Sequence, residues 1–197
     1  MANNIDWQQF WEDHPQQYRD QVNEPNVRPA DYDYKKTLDH VNKIMKFEQT
    51  DNVLDVGCGT GELTALIAPV VSLAVGADFS RMMIQLARER HTQPNIMFVK
   101  ESALNLNFWD GRFQKVLCMG MIQHIPPELF KQTIHEMLRV TAPTGKLLIG
   151  DVLEAAPPEA QVFVYPKEYW LKEFADYKPK FLQSSFEKRI DVLFEQR

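Results

Sequence analysis

Three glycines at alternate positions, Gly57, Gly59 and Gly61, are the first residues whose spacing suggests a binding site. They follow a short apolar run and precede a segment with helical periodicity, which places them on a strand-to-helix turn. Glycine tolerates a positive φ and lets a ligand approach the backbone closely. Glu62 stands where a dinucleotide fingerprint has its third glycine, and no Lys-Ser or Lys-Thr pair follows, which excludes a phosphate-binding P-loop. The alternative interpretation is an ordinary tight turn.

A carboxylate at the end of the next apolar run gives the glycines a chemical context. Asp78 closes the run 73–77, which predicts a second strand, about twenty residues after the glycines. The carboxyl ends of parallel strands share one edge of a sheet, so Asp78 is expected beside the glycine turn. An acidic group there is placed to accept hydrogen bonds from a ribose diol. The two features together favour a nucleoside-containing ligand.

The segments VLDVGCGTG (53–61) and VGADFS (75–80) resemble the class I S-adenosylmethionine-dependent methyltransferases. The resemblance extends over approximately residues 31–197. It implies an α/β fold: a single Rossmann-like domain with a seven-stranded, mostly parallel sheet, a C-terminal antiparallel hairpin and helices on both faces. It also implies S-adenosyl-L-methionine as the cofactor.

The resemblance assigns the cofactor-binding residues. In the family the glycine turn lies against the methionyl part of the cofactor, the acid binds the ribose hydroxyls, and the residue after it packs on the adenine. Relatives often read Gly-Asp-Ala after the third strand, whereas this chain has Ser102, whose hydroxyl is shorter and uncharged. Glu101 is the alternative partner for the adenine, although adjacent strand residues point to opposite sides. The expected cofactor-binding residues are Asp55, Gly57, Cys58, Gly59, Gly61, Asp78, Phe79, Met83, Ser102, Ala103, Met119 and Gly120.

The implied chemistry requires no metal and no covalent nucleophile, because the methyl carbon of the cofactor is already electrophilic. The protein has to hold an acceptor atom in line with the carbon–sulfur bond, at about 3–3.5 Å. If the acceptor is a hydroxyl, a histidine is the usual general base. Of the five histidines, His124 falls just past the fourth predicted strand, whereas His40 is predicted on a helix surface. A packed loop histidine is the alternative for His124. Two further residues that can border the acceptor pocket are Asp151 and Tyr165.

Residues 1–30 are predicted to form an aromatic N-terminal helix and loop, and residues 31–197 the methyltransferase domain. Trp7, Phe10 and Trp11 fall on one face of that helix. The face either packs on the domain or forms a lid over the site, and both interpretations stay open.

Local signals set the bounds of several elements. Asp31 is predicted to cap a helix over residues 32–47. The segment 141–145, with its proline and glycine, is predicted as a turn into a fifth strand over 146–150, which ends at Asp151.

Composition narrows the class of protein. A chain of 197 residues with a net charge of −5 and no basic run argues against a nucleic-acid partner. No apolar run reaches the length of a membrane span, and the N-terminus does not have the pattern of a signal peptide. Cys58 and Cys118, the two cysteines, have no metal-ligand or disulfide spacing, so a reducing cytoplasm is expected.

Three functional hypotheses follow. The leading one is a methyltransferase acting on a small molecule, with an oxygen acceptor favoured over nitrogen. The second is methylation of RNA or protein, which a basic face beside the pocket would favour. The third is a non-enzymatic module that binds S-adenosylmethionine or S-adenosylhomocysteine, encouraged by Ser102 but opposed by the intact glycine turn and Asp78. The sequence does not identify the acceptor.

Overall fold

The computed structural model describes residues 33–154, 162–185 and 189–196. The strands are β1 (Asn52–Val56), β2 (Leu73–Asp78), β3 (Ile96–Lys100), β4 (Phe113–Met119), β5 (Thr141–Leu153), β6 (Lys180–Gln183) and β7 (Arg189–Glu195). The helices are α1 (Tyr34–Met45), α2 (Glu62–Ile67), α3 (Arg81–Arg90), α4 (Pro127–Val140) and α5 (Lys167–Glu173). The expected aromatic helix and loop of residues 1–30, with its lid interpretation, lies outside the described residues.

The strands form one sheet in the order β3-β2-β1-β4-β5-β7-β6 within the described ranges. β1 pairs in parallel with β2 and β4, and the parallel ladder continues to β3 on one side and β5 on the other. β7 pairs antiparallel with β5 and β6, forming the C-terminal hairpin. The predicted fold class is therefore confirmed. Since the parallel order reverses direction at β1 and β4, the crevice outside their carboxyl ends is where such a sheet binds its ligand.

Apolar helix faces cover both sides of the sheet, as predicted. Val116 and Cys118 of β4 join a cluster with α4 and α5, whereas Leu117 and Met119 join a cluster with α1 and α2. Successive strand residues point to opposite faces, so β4 is buried between the two layers. Trp170 of α5 is fully buried in the first cluster. This double burial fixes the strand ends that carry the site.

The N-terminal cap of α1 differs from the predicted one. The carboxylate of Asp33 accepts the backbone N–H groups of Lys35 and Lys36, at 2.8 and 3.2 Å, and the helix begins at Tyr34. A side-chain oxygen at the N-cap satisfies the exposed donors of the first turn, and Asp33 is the residue placed to do so. Asp31 lies outside the described residues.

β5 is longer than predicted. The expected turn over 141–145 is wrong: it belongs to the strand, with an irregular register against β4 and a positive φ of 66° at Thr144. The strand also continues past Asp151, where φ is 58°, to Leu153. Proline and glycine signalled a turn, whereas the segment is an irregular part of the strand: Thr141 pairs with Phe113 of β4, and the ladder resumes at Lys146. No helix among the described residues combines the length and apolarity needed to cross a membrane.

Candidate cofactor and acceptor site

The glycine loop is tied to the end of β2 through its backbone. The N–H groups of Gly57 and Cys58 both donate to the carbonyl of Ala77, at 2.8 and 3.1 Å. All three loop glycines have positive φ, which is 74° at Gly57, 55° at Gly59 and 86° at Gly61. Such angles are disfavoured for residues with a Cβ, so the predicted tight turn is present and depends on glycine.

The three glycines differ in what surrounds them. A Cβ on Gly57 would lie 2.8 Å from the side chain of Met121, and a Cβ on Gly61 would lie 2.6 Å from the ring of Phe98. A Cβ on Gly59 would meet no atom within 4 Å. Two glycines therefore make room for the protein's own side chains, while Gly59 leaves its backbone open to a ligand.

Asp78 joins the glycine loop to the end of β2. One carboxylate oxygen accepts the N–H of Gly59 at 3.0 Å, and the other accepts the N–H of Ser80 at 2.9 Å. Burial raises the pKa of Asp78, and the two N–H donors offset part of that rise. Each carboxylate oxygen can accept a second hydrogen bond, so the group retains acceptor capacity for a diol. Its predicted position beside the glycine turn is thus what the structure has.

Two other predicted residues in this loop act on its shape. The buried carboxylate of Asp55 accepts the hydroxyl of Thr64 at 2.6 Å, which ties the end of β1 to α2. The buried Cys58 side chain packs in a cluster with Ile84 and Phe98. Burial, followed by the charge of Asp78, raises the pKa of the Cys58 thiol well above its usual range. Cys58 is consequently an uncharged packing residue, with only its backbone on the loop.

The predicted adenine side is built by the segments after β2 and β3. Phe79 is half-buried directly after Asp78. Met83 is buried in α3, with its N–H donated to the Ser80 hydroxyl that caps the helix. Ser102 is exposed, and its hydroxyl accepts the N–H of Leu104 at 3.3 Å. The Ser102 hydroxyl keeps its proton to donate, whereas an aspartate there would only accept.

Glu101 and Ala103 flank that serine. The N–H of Glu101 donates to the backbone carbonyl of Asp78 at 3.0 Å, which holds the segment after β3 against the end of β2. Ala103 is half-buried and packs on the main apolar cluster. The predicted residues on this side therefore share one edge of the sheet with Asp78.

The end of β4 supplies a second open glycine. Gly120 has a φ of 67°, donates its N–H to the carbonyl of Gly150 at 3.0 Å, and has no atom within 4 Å of where its Cβ would be. Met119 is buried, and it fills the space that a side chain on Gly150 would occupy. Met121 was not expected at the site; its side chain lies over Gly57 and brings the β4 loop onto the glycine loop. An apolar residue beside a predicted pocket carries no sequence signal of such a contact.

His124 ends a short 3₁₀ turn, Ile122–His124, directly after β4. The residue is half-buried, and burial lowers the pKa of its imidazole to about 4. The ring is therefore neutral at neutral pH.

The other two residues expected at the acceptor pocket are held by the protein. Tyr165 is buried, donates its hydroxyl to the carbonyl of Ile125, and stacks on Phe130 with ring centroids 3.7 Å apart. It thereby fixes the chain after β5 on the loop after β4. Asp151 is buried, and its carboxylate accepts the hydroxyl of Ser184 at 2.9 Å. Among the described residues, no group of three or more His, Cys, Asp or Glu side chains is arranged to hold a metal ion.

Comparison with known proteins agrees with this geometry. Residues 53–145 match the family model described as a methyltransferase domain. A demethylmenaquinone methyltransferase from Listeria monocytogenes is 30% identical over 145 residues, which cover 70% of this chain; the chain spans 60% of that relative's length.

Solved structures with the same fold include two methyltransferases. One is magnesium protoporphyrin IX methyltransferase from Synechocystis PCC 6803 with bound SAH, with a TM-score of 0.72, 15% identity and 96% of each chain covered. The other is phosphoethanolamine N-methyltransferase 1 from Haemonchus contortus, in complex with phosphoethanolamine and S-adenosylhomocysteine. It has a TM-score of 0.75 and 12% identity, over 95% of this chain and 48% of that one. At these identities the structural matches establish the fold.

The fold and the glycine loop define a class I, Rossmann-like methyltransferase domain. The family model that matches residues 53–145 and the solved structures with the same fold are those of S-adenosylmethionine-dependent methyltransferases of that class. The residues present fit the cofactor of this family, because an open backbone at Gly59 and Gly120 lies beside a carboxylate with acceptor capacity.

Substitutions in the glycine loop should separate folding from ligand binding. Gly61→Ala should destabilise the fold by about 1–3 kcal/mol more than Gly59→Ala. Both variants place a Cβ on a residue with positive φ, but only the Cβ at position 61 overlaps the ring of Phe98. Gly59→Ala should fold and bind S-adenosylhomocysteine at least about tenfold more weakly. Urea denaturation and calorimetry measure the two effects. Equal stabilities of the variants, or unchanged binding by Gly59→Ala, would contradict the assignment.

Burial of His124 should make the stability of the protein depend on pH. Below about pH 6.5 His124 binds a proton in the unfolded chain, whereas in the folded chain it stays neutral until the pH approaches its pKa of about 4. The free energy of unfolding therefore falls as the pH drops through this window. Between about pH 7.5 and 4.5, wild type should lose about 2–3 kcal/mol more than His124→Asn in urea denaturation. Because both proteins contain the same carboxylates, the difference between their free energies of unfolding reports on His124. The same pH dependence in both proteins would show that His124 is not buried as described.

Proposed function

We propose that the protein transfers a methyl group from S-adenosyl-L-methionine to a small-molecule acceptor. The observation that carries this proposal is the open backbone at Gly59, held beside the carboxylate of Asp78 by a hydrogen bond of 3.0 Å. When bound there, the cofactor supplies an electrophilic methyl carbon. The chain's own residues have to bind the cofactor and the acceptor, orient the acceptor atom and exclude water. Correct orientation accelerates in-line transfer without an acid or a base.

Cofactor binding is divided between three strand ends. Asp78 accepts the ribose hydroxyls with the acceptor sites that Gly59 and Ser80 leave available. Gly59 and Gly120 let the methionyl part pass close to the backbone, because neither carries a Cβ into the crevice. Phe79 packs on the adenine. These assignments follow the family pattern at the matching positions.

The acceptor side is mainly apolar. Met121 is half-buried over the glycine loop, and Phe163, about a third exposed, donates its backbone N–H to the carbonyl of Gln123 at 2.8 Å. Apolar and aromatic side chains with few polar groups are typical of small-molecule pockets. A net charge of −5 without a basic run does not favour an RNA substrate. The name of the Listeria relative makes demethylmenaquinone a first compound to include among candidate acceptors.

The role we assign to His124 is to orient the acceptor by a hydrogen bond. An imidazole with a pKa of about 4 is neutral and able to accept a hydrogen bond. It is a weak base, however, because taking a proton from a hydroxyl of pKa about 10 is uphill by ~6 pKa units, or roughly 8 kcal/mol. General-base catalysis by His124 is the alternative, and it requires an acceptor of unusually low pKa. Oxygen is favoured over nitrogen as the acceptor atom only under this general-base alternative.

Binding of the cofactor tests the proposal without an acceptor. Wild type should bind S-adenosylmethionine and S-adenosylhomocysteine saturably in calorimetry, in the presence of a chelator. Asp78→Ala should weaken that binding by ~1.5–3 kcal/mol, the scale of hydrogen bonds to a charged group. Asp39→Ala, which removes an exposed carboxylate on α1, is the matched control. No binding by wild type, or equal binding by Asp78→Ala, would remove the basis of the proposed function.

Turnover tests the role of His124. Candidate quinols, phenols and amines are incubated with S-adenosylmethionine, and mass spectrometry detects the methylated product. His124→Asn should raise the acceptor KM at least about fivefold with a smaller change in kcat, since an orienting contact acts on both ground and transition state. A fall in kcat of ~10²–10⁴-fold at constant KM would instead assign general-base catalysis. Unchanged kcat and KM in the folded variant would remove His124 from the acceptor site.

A further inference from the structure

β5 carries a bulge at the edge of the site. Its register against β7 shifts between Ile149 and Val152. The two residues between them, Gly150 and Asp151, stand opposite a single residue of β7, Asp191. Asp151 has a φ of 58°, which is uncommon for a residue with a side chain. Two residues opposing one, with a local backbone distortion, define a β-bulge, and such bulges re-aim the chain beside functional sites.

The side chain of Asp191 holds this bulge from the opposite strand. One carboxylate oxygen accepts the backbone N–H of Asp151 at 3.0 Å. The other oxygen lies 2.7 Å from Nε2 of His40 on α1. A carboxylate only accepts hydrogen bonds, so the proton lies on Nε2 of His40. Asp191 is fully buried, and a buried carboxylate requires such donors.

His40 is therefore not the surface residue that its helical pattern predicted. Its side chain is 23% exposed, whereas its partner is completely enclosed. The two residues lie 151 positions apart, and their hydrogen bond joins α1 to the last strand. The carboxylate of Asp151 is held separately, by the hydroxyl of Ser184 at 2.9 Å.

The bulge also contacts the floor of the site. The carbonyl of Gly150 accepts the N–H of Gly120 at 3.0 Å, and this is the last link between β4 and β5 before the two strands separate. Gly120 is the open glycine after β4. A continuous chain of contacts thus runs from His40 through Asp191 and the bulge to the Gly120 peptide.

We propose that His40 and Asp191 are positioning residues for the acceptor side of the site, acting through the bulge on the Gly120 peptide. The proposal rests on the methyl transfer proposed above for its functional consequence. Asp78 and the glycine loop lie on β1 and β2, and β4 separates them from β5. Of the proposed cofactor contacts only Gly120 lies on this path, whereas Gly59 and Asp78 stay anchored at the ends of β1 and β2, so loosening the bulge should disturb the acceptor more than the cofactor.

Two variants that differ by one methylene test the hydrogen bond of His40. Glutamine places its amide N–H₂ close to where Nε2 of histidine lies, whereas the amide of asparagine is too short to reach Asp191. Backbone amide exchange measured by NMR reports three sites: Asp151 and Gly120 on the proposed path, and Gly57, which donates to Ala77, as the internal control. His40→Asn should accelerate exchange at Asp151 and Gly120 about tenfold, on the scale of one lost charged hydrogen bond. His40→Gln should restore wild-type exchange.

Each contrary result is decisive. Unchanged exchange at Gly120 in His40→Asn would show that the effect of the His40 hydrogen bond does not reach the Gly120 peptide. Equal acceleration at all three amides would show a general loss of stability, and identical behaviour of the two variants would show that the hydrogen bond is not responsible.

A kinetic measurement adds the functional consequence. With an acceptor from the product screen, His40→Asn should raise the acceptor KM at least about fivefold while the Kd for S-adenosylhomocysteine stays within about twofold. Parallel loss of both affinities would overturn a role specific to the acceptor side. Amide exchange and the Kd are measured without turnover, so failure of the proposed methyl transfer would be recognised separately from failure of this inference.

Discussion

The hydrogen bond between the carboxylate of Asp78 and the N–H of Gly59 joins the two loops on which the site depends. It spans 3.0 Å and connects the end of β2 to the turn after β1. Since Asp78 also accepts the N–H of Ser80, the same carboxylate sets the start of α3. The carbonyl of Ala77 accepts the N–H groups of the loop, and the ring of Phe98 lies against Gly61, whereas the backbone at Gly59 stays open. The proposed cofactor site rests on this pairing of one acid with one residue that has no side chain.

Carboxylates that accept hydrogen bonds from a neighbouring element also occur elsewhere along the carboxyl edge of the sheet. Asp55 at the end of β1 accepts the hydroxyl of Thr64, and Asp191 on β7 accepts from His40 and from the bulge in β5. Each carboxylate is buried or half-buried, and each is satisfied by donors from a neighbouring element, as low local dielectric demands. The acids therefore fix loops relative to one another. Only Asp78 combines this role with an adjacent open backbone.

The cofactor half of the site was largely predictable, because its signals are local. Alternating glycines and an acid after the next apolar run are adjacent in sequence to the strands that place them. The acceptor half depends on contacts between distant segments. Met121 over Gly57 and His40 on Asp191 bring together residues 64 and 151 positions apart, and neither pair has a pattern that reveals it.

Strand pairing also overrode local propensity. Proline and glycine between Thr141 and Gly145 predicted a turn, yet the segment lies within β5, whose pairing with β4 is irregular between Thr141 and Lys146. The low pKa of His124 is likewise a product of burial, which sequence position alone does not reveal.

A crystal structure of the protein with S-adenosylhomocysteine tests the role of Asp78 most directly. Both ribose hydroxyls should lie within hydrogen-bond distance of the Asp78 carboxylate, with the ligand passing over Gly59 and no protein atom between them. The hydrogen bond from Gly59 N–H to Asp78 should persist in the complex. A ligand bound elsewhere on the sheet, or an Asp78 side chain turned away from the ribose, would show that this carboxylate does not hold the cofactor.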